Sequence, residues 1–247
     1  RTTHPQTLVR FSQFFAMVFD RGTRVDNPFF WRTKTDVVET IARLNMRDQI
    51  AYTRSCADVY NQTKQYVHCG RCSQCIDRRF AVLAAGLSHF DPVEAYKVDL
   101  LEDARDEVRD REIALSYLRN AQAFEHITEA DLERAFPAVL DAVGFLEHPP
   151  ATGLAMIAQL LKRHGNAVSG VIRGVFEGRP ASDYPEGSLP RLFGDTQRAV
   201  ALPGIEGRPP ASEVPKAKPI LIEIDERRQV VDLDGIVLLK KAATSGL

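Results

Sequence analysis

At 247 residues the chain can form one large domain or two small ones, with enough length to bury a real core. Its 32 lysines and arginines nearly cancel 33 aspartates and glutamates, and the net charge of −1 excludes a global field for nucleic acid or an anionic membrane. No apolar run is long enough to span a bilayer.

The chain opens with Arg1 and stops at Leu247 in what reads as an unfinished element, so a fragment of a longer polypeptide is expected. Residues 5–19 carry Leu8, Phe11, Phe15 and Phe19 at helical spacing behind Pro5, which suits a first helical turn, and Gly22 ends the element. Arg24–Phe30 reads as extended and leads into Asn27-Pro28-Phe29-Phe30-Trp31. The three adjacent aromatics suit packing against a neighbouring element, with a stacking platform for a flat base as the functional alternative. Thr33 and Asp36 have the spacing of a capping box for a helix burying Val37, Val38, Ile41 and Leu44. Lys34 falls in its first turn, where the helix dipole disfavours a cation unless an anion sits in front of it; the plain alternative is a solvated lysine.

All four cysteines then fall between Cys56 and Cys75, spaced C-x12-C-x2-C-x2-C. Two thiolates separated by two residues can turn onto one metal ion, Gly70 suits the tight knuckle, and Cys56 can close a tetrahedron. A disulfide pair needs an oxidising compartment, for which no secretory signal is read, and a redox dithiol leaves the other cysteines idle. Zinc held by Cys56, Cys69, Cys72 and Cys75 is therefore expected, with His68 as a substitute ligand that four cysteines make unnecessary. Such a closed site holds the fold and has no open position for chemistry. Cysteines kept for metal fit a reducing cytoplasm. The double negative charge of four thiolates on Zn²⁺ calls for compensation, and Lys64, Arg71, Arg78 and Arg79 lie close in sequence.

Beyond the knuckle, Ile76–Leu87 predicts a helix with Phe80, Leu83 and Leu87 inward. Asp91-Pro92 opens a long charged helix reaching about Ala123, its Leu101, Ala104, Val108, Leu115 and Leu118 inward. Its acids Glu102, Asp103, Asp106, Glu107 and Asp110 read as a solvated face and not as catalytic carboxylates. Thr128 and Asp131 cap a helix shortened at Pro137, and residues 152–164 and 166–177 predict two helices parted at Gly165. Residues 178–218 read as a Pro/Gly-rich linker. After it, Ile220–Ile224, Gln229–Leu233 and Ile236–Leu239 alternate as short strands, with Asp234-Gly235 as a hairpin turn, and look like the start of a small antiparallel module.

The run HCGRCSQCIDRR, with Ser55-Cys56 upstream and NPFFWRTKTDVVETIARL before it, resembles the 7-cyano-7-deazaguanine synthase (QueC-like) family of N-type ATP pyrophosphatases. The resemblance covers roughly Thr3 to Leu87. It implies an α/β fold of the PP-loop, adenine nucleotide alpha hydrolase-like type in the intact protein. The present chain is then expected to be mostly helical, with a zinc knuckle and a C-terminal β-hairpin. Four parts are expected: 1–90, the C-terminal part of the synthase-like domain; 91–177, a helical extension; 178–218, the linker; and 219–247, a small β module.

The resemblance further implies an ATP-dependent ligase that adenylates the carboxylate of a 7-deazapurine, with Mg²⁺, for attack by ammonia or another amine. By that analogy Lys34 contacts a nucleotide phosphate, and Arg78 orients the knuckle or faces the substrate pocket. The family's Ser-Gly-Gly-x-Asp-Ser phosphate loop is absent from these residues, so catalysis by the chain alone is not expected. Divergent relatives in bacterial antiviral defence operons, where a deazaguanine is attached to protein, make a protein partner for the helical extension a further implication. A rival reading takes the knuckle as a zinc-ribbon-type nucleic-acid or protein binding module without catalysis, its Arg71, Arg78, Arg79 and Lys64 gripping phosphates; the near-neutral charge counts against it.

Overall fold

Capping boxes start two of the helices in the computed structural model of the chain, which describes residues 4–58, 65–198, 222–225, 229–233 and 236–241. The chain divides into two compact units: Arg1–Leu8 with Val25–Leu202, and Val9–Arg24 with Pro203–Leu247. Helix α1 (Pro5–Phe19) starts in the first and runs into the second. Phe11, Phe15 and Phe19 stack one turn apart along it, with ring centroids 6.1 and 5.8 Å apart.

The larger unit is helical. Thr33 caps α2 (Lys34–Arg43): its hydroxyl accepts from the Asp36 amide while the Asp36 carboxylate accepts from the Thr33 amide. The same device, Thr128 with Asp131, starts α6 (Glu129–Ala135). Pro137 ends that run and begins α7 (Ala138–Val143). Between these lie α3 (Gln49–Tyr52), α4 (Ser73–Ala84) and α5 (Val108–Glu125), followed by α8 (Pro150–Gly178) and α9 (Leu189–Arg198).

One core joins the knuckle to the extension. Cys69, Cys75, Ile76 and Phe80 pack in the same cluster as Leu100, Leu118, Ile172 and Phe193. Each fully buried aliphatic or aromatic side chain of this kind is worth roughly 1.5–3 kcal/mol against exposure. A smaller cluster of Val38, Ile50, Ala81 and Val82 fixes α2 and α3 onto α4.

Several expectations change here. The helix expected from Asp91 begins only at Val108, which is exposed; residues 88–90 and 93–95 are single 3₁₀ turns. The cause is Asp91, which is buried and accepts from two arginines and Tyr96, so the chain must stay irregular to deliver it. The two helices expected around Gly165 are one, α8. Gly165 is not a break but a contact, since a Cβ there would lie 2.5 Å from the Ala121 carbonyl oxygen of α5. Leu44, expected inside, is 64 % exposed at the C-cap of α2. The expected linker contains α9, because Leu189, Leu192 and Phe193 recur at helical spacing and bury against the core. Residues 28–31 form a turn in place of extended chain, with the Phe30 amide donating to the Asn27 carbonyl.

In the second unit, strands β1 (Ile222–Asp225), β2 (Gln229–Leu233) and β3 (Ile236–Lys241) form a sheet of order β1-β3-β2. β2 runs antiparallel to β3 and β1 parallel to it, so the module is mixed and not wholly antiparallel. Lys64, residues 199–221 of the expected linker and first strand, and the Asp234-Gly235 turn lie outside the described residues.

Candidate metal centre

The knuckle places four sulfurs together. The Sγ atoms of Cys56, Cys69, Cys72 and Cys75 all lie within 4.8 Å of one another. Cys69 and Cys75 are buried, and their sulfurs are 3.9 Å apart. A tetrahedral ion with metal–sulfur bonds of about 2.3 Å needs sulfur–sulfur separations of about 3.8 Å. The donor set therefore fits a metal ion of the zinc class. The amides of Arg71 and Cys72 each point at Cys69 Sγ from 3.4 Å, as expected for a thiolate in a knuckle turn. Gly70 makes that turn with φ +75, a conformation that favours glycine.

The thiols also perturb one another. Cys72 is held far below the usual thiol range by hydrogen bonds from Cys69 and Cys75. Cys69 is pushed up to about 11, chiefly by its bond with Cys72, and Cys75 is raised by Cys69 and Cys72. His68 is buried beside Tyr96 with its ring 4.8 Å away, and it is outside the set of four sulfurs.

Helix α4 leaves the knuckle directly and carries the next residues of the site. Arg78 is 4 % exposed; its Nε donates to Asp91 at 3.0 Å, and its other nitrogens donate to Thr53 Oγ1 and the Ile50 carbonyl. Its guanidinium is buried and its nitrogens are taken up by these protein acceptors. Arg79 also bonds Asp91, at 3.2 Å, and Arg71 faces Asp110 at 3.6 Å. Of the basic residues that a phosphate-gripping ribbon needs, Arg71, Arg78 and Arg79 are turned onto acids.

Lys34 behaves differently. Its Nζ lies 2.7 Å from Asp77 Oδ2 on α4, with the two side chains 32 % and 26 % exposed. The anion that the position calls for is supplied by the chain itself. Asp77 in turn accepts from Tyr117 on α5 at 3.2 Å, and Tyr117 meets His164 of α8 edge to face. Burial, then Asp77, raises the Tyr117 hydroxyl well above its ordinary range. Arg163 of α8 donates to the Trp31 carbonyl at 2.8 Å and lies 3.6 Å from Asp36. Of the three aromatics, Phe30 and Trp31 pack on each other and Phe29 stays exposed. An open groove of about 590 Å³ runs beside this corner, lined by Thr33, Thr35, Glu39, Arg163 and Asn166 among others. Asp77, Asp91, Tyr117 and Arg163 were missed by sequence reasoning. Asp77 alone had a local signal, two residues after the last cysteine.

Residues 2–86 match the family described as "Queuosine biosynthesis protein QueC". That stretch is QueC-like. A 7-cyano-7-deazaguanine synthase of Methanocaldococcus jannaschii is 28 % identical over 92 residues, covering 34 % of this chain and 39 % of the relative. The chain thus spans about two fifths of that curated relative. No solved structure matches the chain. The QueC-like stretch contains the knuckle, Lys34 and Asp77, whereas Tyr117, His164 and Arg163 lie beyond it. Among the described residues no helix is long and apolar enough to cross a membrane.

Proposed function

We propose that the chain is the knuckle-bearing part of a 7-cyano-7-deazaguanine synthase-like ligase, acting on a 7-deazapurine carboxylate with ATP and Mg²⁺. The carboxylate oxygen attacks the α-phosphorus, pyrophosphate leaves, and an acyl adenylate forms. Ammonia, or another amine, then attacks the acyl carbon and AMP leaves. A second activation dehydrates the amide to the nitrile. The reading requires a phosphate loop, which these 247 residues do not contain, and the zinc held by Cys56, Cys69, Cys72 and Cys75 is structural, since four sulfurs leave no open position.

The observation that carries this reading is the Lys34–Asp77 pair, held at the mouth of α2 on the helix that emerges from the cysteines. A lysine whose partner is part-exposed can exchange that carboxylate for a phosphate oxygen, and it then stabilises charge building on the leaving pyrophosphate. Phe29, outward on the turn before it, offers a flat face to a purine-like ring. The groove along α2 and α8 is the side on which the nucleotide-binding part docks.

The test is AMP release by the protein carrying this chain, given ATP, Mg²⁺, ammonia and 7-carboxy-7-deazaguanine. AMP should form only with the carboxylate present, and Lys34→Ala should lower kcat/KM about 100-fold or more while the metal content stays unchanged. Carboxylate-independent AMP formation, or none, contradicts the proposal.

A further inference from the structure

The segment after the QueC-like stretch wraps the knuckle. The His68 amide donates to the Ala95 carbonyl at 3.1 Å and the Lys97 amide to the His68 carbonyl at 2.9 Å, forming a parallel bridge between His68 and Tyr96. Gly70 is pressed so closely against this segment that a Cβ on it would fall 1.9 Å from the Val98 carbonyl oxygen. The segment ends at Arg105, which is 1 % exposed.

Arg105 is an anomaly in charge. Its Nη2 reaches the Gly70 carbonyl at 3.4 Å, while Nε and Nη1 find no hydrogen-bond acceptor among the described residues. No carboxylate comes within ion-pair distance of it among those residues. Asp110, Asp103 and Asp99 act on it only from further away, and Arg71 opposes them. Burial pushes it down to about 10, which still leaves it charged at neutral pH. A buried guanidinium without a partner is strongly unfavourable unless a negative charge lies close. Three described arginines near the knuckle are already paired: Arg71 with Asp110, and Arg78 and Arg79 with Asp91. Four thiolates around a divalent ion carry a net double negative charge, and the knuckle loop that holds three of them is the loop that Arg105 touches.

We propose that Arg105 is the built-in counter-charge of the four-sulfur metal centre, and that residues 95–105 are the lock that retains the metal. The inference rests on the reading of the four cysteines as ligands of a zinc-class ion. Arg105 is a positioning residue: it touches the ligand loop, not the metal, and its charge is useful only when the thiolates are ionised. It also gives the extension a definite task, because the metal site is electrically incomplete without it.

The experiment uses the 247-residue chain and zinc, read by competition with EDTA and by release to a chromogenic chelator. A cavity of about 580 Å³ bordered by Cys69, Cys72, Arg71 and Lys97 gives chelators access. Arg105→Met should weaken zinc binding about 10- to 100-fold, the range for partners that support a ligand shell. The same variant without metal should be as stable to urea as the metal-free parent, or more so. Arg105→Lys should stay within about threefold of the parent, because the charge is kept. Equal zinc affinity in Arg105→Met, or equal destabilisation with and without metal, overturns the inference and leaves a packing role. Failure of the parent chain to bind one zinc overturns the ligand reading itself. Should Arg105→Met not fold, hydrogen exchange on the parent decides: zinc should slow amide exchange across 95–107, and an unchanged rate overturns the lock.

Discussion

The buried corner behind α4 and the mouth of α2 draw on the same charged residue types and use them in opposite ways. Behind α4, Asp91 is 1 % exposed and binds Arg78, Arg79 and Tyr96 together, so every partner is fixed and water is excluded. At the mouth, Lys34 and Asp77 meet at 2.7 Å with both side chains partly open to water. The first arrangement costs a great deal to break and can do no chemistry. The second costs little to break and is free to exchange partners. Burial, not residue type, separates the two corners.

The sharpest way to break that contrast is at the knuckle. Cys72→Ser should abolish stoichiometric zinc, and because metal binding in small sites is worth on the order of 10 kcal/mol of folding energy, fast amide exchange should follow across residues 65–80. Retained zinc with protected amides would contradict it. Next comes Asp91→Ala, which strands the buried Arg78 and leaves the half-buried Arg79 unpaired, and should cost about 3–5 kcal/mol in urea unfolding. A loss below about 1 kcal/mol would place that corner with the surface pairs. Gly165→Leu drives a side chain into the α5 backbone and should cost about 1–3 kcal/mol or more; an unchanged midpoint would mean that α5 and α8 are not in close contact.

A smaller effect is set by pH. His164 is held below its ordinary value by burial first, with Lys34 lowering it further and Asp77 opposing. The unfolded chain therefore binds the extra proton, so stability is fully present above about pH 6.5. It is lost as pH falls through that value toward the folded one. His164→Gln should flatten this part of the profile between pH 7 and pH 5, and an unchanged slope would mean that His164 does not contribute. Smallest in stability is Lys34→Ala, expected within about 1 kcal/mol of the parent, because its ion pair is part-exposed.

What the sequence made legible were features carried by neighbours within a few residues. The Thr33 and Thr128 capping boxes are read from a three-residue spacing, and both are present. The cysteine spacing gathers four sulfurs as a local turn geometry requires. Illegible features depend on contacts across the chain. Nothing near Arg78 announces Asp91, thirteen residues on and across a change of direction. Gly165 looks like a helix break until α5 is seen lying against it. Arg105 stood in a run of acids that read as a solvated face, and only the fold turns it under the knuckle.

The measurement that bears most directly on the account is zinc stoichiometry with X-ray absorption at the zinc edge on the purified chain. One zinc per chain with four sulfur neighbours at about 2.3 Å is the predicted result. Substoichiometric zinc, or a shell containing nitrogen or oxygen in place of a sulfur, would contradict it.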